Sequence, residues 1–270
     1  MKTRIITAAV AIPLLLIVLL VLPSVFTAIM VGGMCAIAAY ELLYGTGLVR
    51  HVRLVVYTAV EAFWIAIWCW LGSPRAWGIL GMILFLIPLF AELMASHVKI
   101  RFDRIAVCLF GGLILPYLLC SMVRISVMNQ GKFLILIPFI IAFIADSGAY
   151  FAGRFFGKHK MAPVISPHKT VEGAVGGILA SMLGMLLYGL ILQLFGFKVN
   201  YLYAVLYGIL GAVGGEFGDL CFSAIKRQTG IKDFGTMLPG HGGILDRFDS
   251  MVIVAPLTEM LIMLLPVVTK

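Results

Sequence analysis

Two pairs of acids stand three residues apart near the C-terminus of this sequence. Glu216 and Asp219 lie in GAVGGEFGDLCFSAIKRQ (211–228), and Asp246 and Asp249 lie in GHGGILDRFD (240–249). On a helix this spacing puts both carboxylates of a pair on one face, and Ser223 with Lys226 or Arg227 extends the first face. Glycines at 211, 214, 215 and 218 would let another backbone approach that helix closely. Ahead of the second pair, Gly240, Gly242 and Gly243 tolerate positive φ and leave bare N–H groups, as in anion-cradling turns. A third cluster, ADSGAYFAGRFFGKHKMAPVISPHKTVEG (145–173), carries Asp146, then Arg154, Lys158, Lys160 and Lys169, with Thr170 placed to cap a following helix.

Hard carboxylates of this kind suit Mg2+ or a similar oxygen-seeking cation. His159, His168 and His241 have no cysteine partners, and none of the five cysteines forms a C-x-x-C, which argues against zinc. Cations around a carboxylate-bound metal are the equipment of phosphoryl or nucleotidyl transfer, where developing charge must be neutralised. Nothing resembles a Ser-His-Asp set. An acceptor that is itself a phosphate is already anionic and needs little deprotonation. Plainer readings compete: loop cations can reflect topology alone, and a helix start can account for one acid of the second pair. It does not account for two acids, Arg247 and a preceding His-Gly-Gly together.

These residues sit in an unusually apolar chain. Of 270 residues, 62% are hydrophobic and 12% charged, with mean hydropathy +1.11; a soluble domain carries about 25% charged residues. The sequence predicts an all-α polytopic membrane helix bundle of about nine spans: 5–22, 25–44, 54–71, 76–95, 105–124, 133–152, 171–195, 201–224 and 249–268. The N-terminal apolar run imitates a secretory signal but is longer, and reads as a retained first span. Of the 20 Lys and Arg, only Arg75, Arg124, Lys132, Lys198 and Lys270 fall opposite the N-terminus. By the positive-inside rule the N-terminus is cytoplasmic and the C-terminus outside. Net charge +8 then reflects topology and anionic headgroups or phosphorylated ligands, with no nucleic acid partner. The longest polar loops, 153–170 and 225–248, fall on the cytoplasmic side. Residues 1–132 read as motif-free helices and 133–270 as the catalytic region. Within the spans, Glu41, Glu61 and Glu92 read as interfacial or paired, and Glu259 carries no assigned role.

The stretch SAIKRQTGIKDFGTMLPGHGGILDRFDS, 223–250, closely resembles the phosphatidate cytidylyltransferase (CDP-diacylglycerol synthase) family. That pattern reads S-x-x-K-R, a spacer, K-D, then P-x-H-G-G-x-x-D-R-x-D. It is matched by Ser223, Lys226, Arg227, Lys232, Asp233, Pro239, His241, Gly242, Gly243, Asp246, Arg247 and Asp249. DSGAYFAGRFFGKHK and ISPHKTVEG look like the same family, with His168 where a second Lys often stands. The resemblance covers roughly residues 140–260, and the first four or five spans carry no motif.

The resemblance implies CTP and phosphatidic acid giving CDP-diacylglycerol and pyrophosphate, with Mg2+, in an inner-membrane enzyme whose active site faces the cytoplasm. It implies Asp219 and Asp246 as metal ligands, with Asp249 and Asp146 as further ligands or supports. Lys226, Arg227 and Arg247 would hold triphosphate or lipid phosphate. Ser223, Lys232, His241, Gly242, Gly243, Lys169 and Lys160 would serve the substrates. A second, monovalent cation and a homodimer stay open. Two other readings remain: a CTP-dependent polyprenol or phytol kinase, whose lipid alcohol would take the γ-phosphate and need a base, and an ion-coupled transporter. The transporter lacks support from any clear internal repeat, and the polar residues gather at one membrane face instead of the midplane.

Overall fold

A computed structural model describes residues 2–72, 75–237, 240 and 242–269, with side chains from Ala9 onward. His241, one of the expected substrate residues, and Pro239 lie outside the described residues. The chain is a helical polytopic membrane protein. Its main helices are α1 (Lys2–Leu16, run on by a π-helical turn, Ile17–Val21), α2 (Ser24–Gly45), α3 (Val52–Leu71), α4 (Arg75–Ala95), α5 (Phe102–Ser126), α6 (Gly131–Phe156), α7 (Val171–Leu194), α8 (Tyr201–Gln228) and α9 (Met251–Leu264). Among the described residues, α2 to α8 are the seven long and apolar enough to cross a membrane. Ala9–Val21 and α9 are shorter apolar helices.

The chain forms two compact units, residues 1–129 with 228–248, and residues 130–227 with 249–270. In the first, α2 buries Ala28, Val31, Cys35, Ala38, Ala39 and Leu42, a stripe at helical spacing, while Phe26, Ile29 and Tyr40 remain exposed. A helix apolar on all sides, with one face packed and the other bare, is what a lipid surround allows. Polar cross-links within this unit include Trp70 Nε1 donating to Ser24 Oγ at 3.1 Å and Arg53 pairing with Glu92 at 3.1 Å. Residues Glu41–Gly45 of α2 form a π-helical turn.

In the second unit α6 and α7 meet through small residues. A Cβ on Gly176 would strike the Ala152 methyl, so the two backbones lie as close as side chains allow. Tyr188 OH donates to the Phe133 carbonyl at 2.7 Å, and Tyr207 OH to Leu265 O at 3.0 Å.

Three expectations need correction. The loop expected over 153–170 begins as the last turn of α6 and then forms an antiparallel hairpin, β1 (Lys160–Ala162) with β2 (Ser166–Thr170). A second small pair joins β3 (Lys198–Val199) to β4 (Val268–Thr269), so the helical bundle carries minor sheet. The strands are too short and polar to show an alternating pattern. Finally, the last helix starts at Met251 instead of 249, and Asp246 belongs to a separate single turn, Leu245–Phe248. Asp249 lies in the bend between them.

Candidate active site

Three elements of the second unit build a cleft of about 580 Å³. From α6 come Asp146, Ala149, Tyr150, Gly153 and Arg154, a run at i, i+3, i+4, i+7 and i+8 that places one helical stripe along the wall. From β2 and the start of α7 come His168, Lys169, Thr170, Gly173 and Ala174, and from α8 the i, i+3 pair Glu216 and Asp219. Thr170 caps α7 as its sequence suggests, its hydroxyl accepting from the Gly173 N–H at 3.1 Å. Glu172, in the first turn of α7, accepts the Lys158 N–H at 3.0 Å and meets His159 Nδ1 at 2.5 Å, closing the base of the hairpin. Arg227 Nε donates to the Ile165 carbonyl at 3.1 Å, tying the end of α8 to the hairpin tip.

The charges in the cleft are organised around Lys169. Its ammonium lies 2.6 Å from Asp219 Oδ2 and 2.8 Å from Glu216 Oε1. Burial pushes the Lys169 ammonium down, but the two carboxylates outweigh this and hold it above its ordinary value. Ser223 Oγ donates to Asp219 Oδ1 at 3.1 Å, so the face proposed for α8 does form. One turn later, Lys226 Nζ stands 3.9 Å from Asp249 Oδ2, with both side chains buried. Burial, then the neighbouring Asp219 charge and, more weakly, Asp146, pushes the Asp249 carboxyl well above the usual carboxylate range. Gly218 makes this closeness possible, because a Cβ there would lie 3.0 Å from the Asp249 carbonyl.

Asp146, Lys169, Asp219, Ser223, Lys226 and Asp249 are therefore brought into one electrostatic neighbourhood. Lys160 is exposed on β1 and does not line the cleft. Tyr150, Arg154, His168 and Glu216 line it too; Glu216 and Arg154 belong to the charged clusters marked in the sequence but had no assigned role, and Tyr150 and His168 were not expected among the site residues. The i+4 spacing from Asp146 through Tyr150 to Arg154 is the pattern that marks them. Arg154 also donates to Tyr150 OH at 2.9 Å.

The rest of the motif, in the first unit, is organised differently. Lys232 and Arg247 are exposed. Gly240 and Gly242 adopt φ of 78° and 84°, as expected for this turn. The Gly243 N–H, however, donates to Asp246 Oδ2 at 3.0 Å, and the Phe234 N–H donates to the same oxygen at 2.8 Å. The turn cradles an anion, and that anion is the chain's own Asp246. Glu41 was expected to be interfacial or paired. It is buried and accepts the N–H groups of Ile244 at 3.0 Å and Leu245 at 2.8 Å.

A second, apolar pocket of about 280 Å³ adjoins the cleft and shares Ala149, Ala174 and Glu216 with it; Ile178, Val213 and Phe217 are among its walls. Fold and site together define a polytopic membrane protein with a cleft of mixed acids and bases adjoining an apolar pocket.

The cytidylyltransferase family model matches residues 2–265, and the chain belongs to that family. It is 33% identical to a phosphatidate cytidylyltransferase of Bacillus subtilis, over 98% of both chains. Relatives of the same name from Staphylococcus epidermidis and Staphylococcus haemolyticus are 47% identical over 135 residues and 44% over 134. In these two the match spans about half of the relative's length.

Proposed function

We propose that this chain is a phosphatidate cytidylyltransferase of the cell membrane, transferring CMP from CTP to phosphatidic acid at the cytoplasmic face. The observation that carries the reading is the junction of the charged cleft with the apolar pocket through Ala149, Ala174 and Glu216. A lipid phosphate with acyl chains needs such a junction, and a water-borne triphosphate needs only the polar side of it. In the reaction a phosphate oxygen of the lipid forms a bond to the α-phosphorus of CTP. The bond from that phosphorus to the bridging oxygen breaks, and pyrophosphate leaves with its electron pair. The nucleophile is already anionic, so positioning and charge neutralisation supply the acceleration. Lys169, Arg154 and His168 face the cleft and would orient phosphate groups. Lys226 sits beside Asp249, and Arg227 fixes the hairpin that carries Lys169.

Among the described residues, no group of three or more Asp, Glu, His or Cys stands ready to enclose a metal. The donor chemistry nevertheless fits a divalent hard cation: Asp146, Asp219 and Asp249 offer only oxygens, and Asp249, raised first by burial and then by the Asp219 and Asp146 charges, is an acid that a cation would return to its charged form. Mg2+ is the proposed ion, held by these three acids, with Asp246 assigned to it by the family resemblance alone. When bound, it would neutralise triphosphate oxygens in the transition state. Lys169 now takes the Asp219 oxygen that such an ion would use, and would move to the phosphates.

The reading is tested with the purified chain in phosphatidic acid vesicles, using CTP labelled either in cytosine or at the γ-phosphate. Cytosine label in the lipid, with one pyrophosphate released per lipid product, is expected. Transfer of the γ-label alone would make the protein a lipid kinase and overturn the reading.

A further inference from the structure

We propose that Glu41, in the motif-free N-terminal helices, is the positioning residue of the turn that presents Asp246 and Arg247. The single helical turn Leu245–Phe248 has N–H groups at its start with no acceptor within the helix, as every helix does. Such groups are usually satisfied by an oxygen-bearing side chain at the residue before the helix. Here that residue is Ile244, which has none. Glu41 supplies the cap from α2 instead, one carboxylate oxygen on the Ile244 N–H at 3.0 Å and the other on the Leu245 N–H at 2.8 Å. Hydrogen bonds to a charged acceptor at a helix start are among the stronger ones a backbone makes.

The surroundings are shaped to that carboxylate. A Cβ on either Gly235 or Gly243 would strike the Glu41 carboxylate, and a Cβ on Gly45 would strike the Phe234 carbonyl. Three glycines thus clear the space in which one acid and one backbone segment meet. Glu41 opens the π-helical turn Glu41–Gly45, a local widening of α2 of the kind found at functional positions. Asp246 completes the arrangement from inside the turn, its Oδ2 taking the N–H groups of Phe234 and Gly243. Glu41 and Asp246 therefore hold four backbone N–H groups of the same small loop, those of Phe234, Gly243, Ile244 and Leu245, and the direction in which Asp246 and Arg247 face depends on both. Glu41 touches no substrate in this scheme; it acts through the turn.

The consequence for turnover rests on the cytidylyl-transfer reading above, whereas the order of the turn does not. The test compares the full chain with Glu41→Ala and Glu41→Gln in detergent micelles, by amide exchange and by turnover of CTP with phosphatidic acid. In Glu41→Ala, exchange at Ile244 and Leu245 should rise about ten- to a hundredfold, the range of a lost hydrogen bond to a charged group. Glu41→Gln, which keeps one acceptor oxygen, should fall between that variant and the parent, and decides the matter if the alanine variant does not fold. kcat should drop at least about tenfold, with KM for CTP shifting by less than about threefold, the pattern of an interaction felt in the transition state. Glu61→Gln, a change at another buried acid of the same unit, should leave exchange at 244–245 unaltered. Unchanged exchange at these amides, a rise shared by all of α2 to α5, or a looser turn with parental kcat would each overturn the proposal. Should the parent itself fail to turn over CTP and phosphatidic acid, the proposed function has failed, and the exchange data alone then decide the role of Glu41.

Discussion

Carboxylates withdrawn from solvent serve opposite purposes in the two compact units. In the unit containing α6 to α9, the half-buried Asp219 and Glu216 face the Lys169 ammonium in the cleft, and the buried Asp249 faces that of Lys226. Their partners are side chains that can move to another anion or yield to a cation. In the unit containing α2 to α5, Glu41 and Asp246 accept backbone N–H groups, and those donors cannot leave without unfolding the loop. The comparison teaches that an acid within an apolar chain is not by itself a mark of chemistry. Whether its partner is exchangeable separates an acid that reacts from an acid that shapes.

The comparison can be broken in order of expected effect. Removing divalent metal with a chelator should abolish turnover, restored by excess Mg2+; full activity in chelator would remove the metal from the scheme. Asp219→Asn should cut kcat by two orders of magnitude or more, the scale of one main electrostatic stabiliser, while leaving the melting temperature near parental because Lys169 keeps Glu216. Asp246→Asn should lower activity about a hundredfold too, but here the thermal midpoint and exchange protection at Phe234 and Gly243 should fall as well. An Asp246 variant with parental protection would erase the distinction between the units. Lys169→Met leaves two acids facing each other and should cost about 1–3 kcal/mol of stability by thermal denaturation, along with substrate affinity. At the small end, Arg53→Ala removes a pair whose Arg side chain is 78% exposed; it should leave both the thermal midpoint and turnover near parental.

The helices were readable because a span is a long apolar run, and nothing else in a chain of this composition looks like one. The α8 face was readable for a similar reason: Glu216, Asp219, Ser223 and Lys226 are near neighbours on one helix, so helical spacing alone groups them. The same rule reaches Tyr150 and Arg154 once Asp146 is taken as the start of a stripe. Lys169 meeting Glu216 and Asp219 is a contact between distant segments, and spacing says nothing of it. The β1–β2 hairpin was hidden because β1 is only three residues long and β2 is polar and carries Pro167, so the segment read as loop. Glu41 was least visible of all. Its partners are N–H groups of Ile244 and Leu245, and main-chain donors leave no trace in the pattern of side chains. Asp246 was assigned to the metal through the family resemblance, which does not show that one of its oxygens already holds the loop closed.

The reach of the Glu41 contact has a bearing on biogenesis. Its two backbone partners lie 203 and 204 residues further along the chain. A ribosome extending the chain by about 5–20 residues per second therefore leaves that acid without its final partners for some ten to forty seconds after α2 has emerged. Throughout that interval water or lipid headgroups must satisfy its oxygens, and a chain released before Leu245 would never acquire these two bonds.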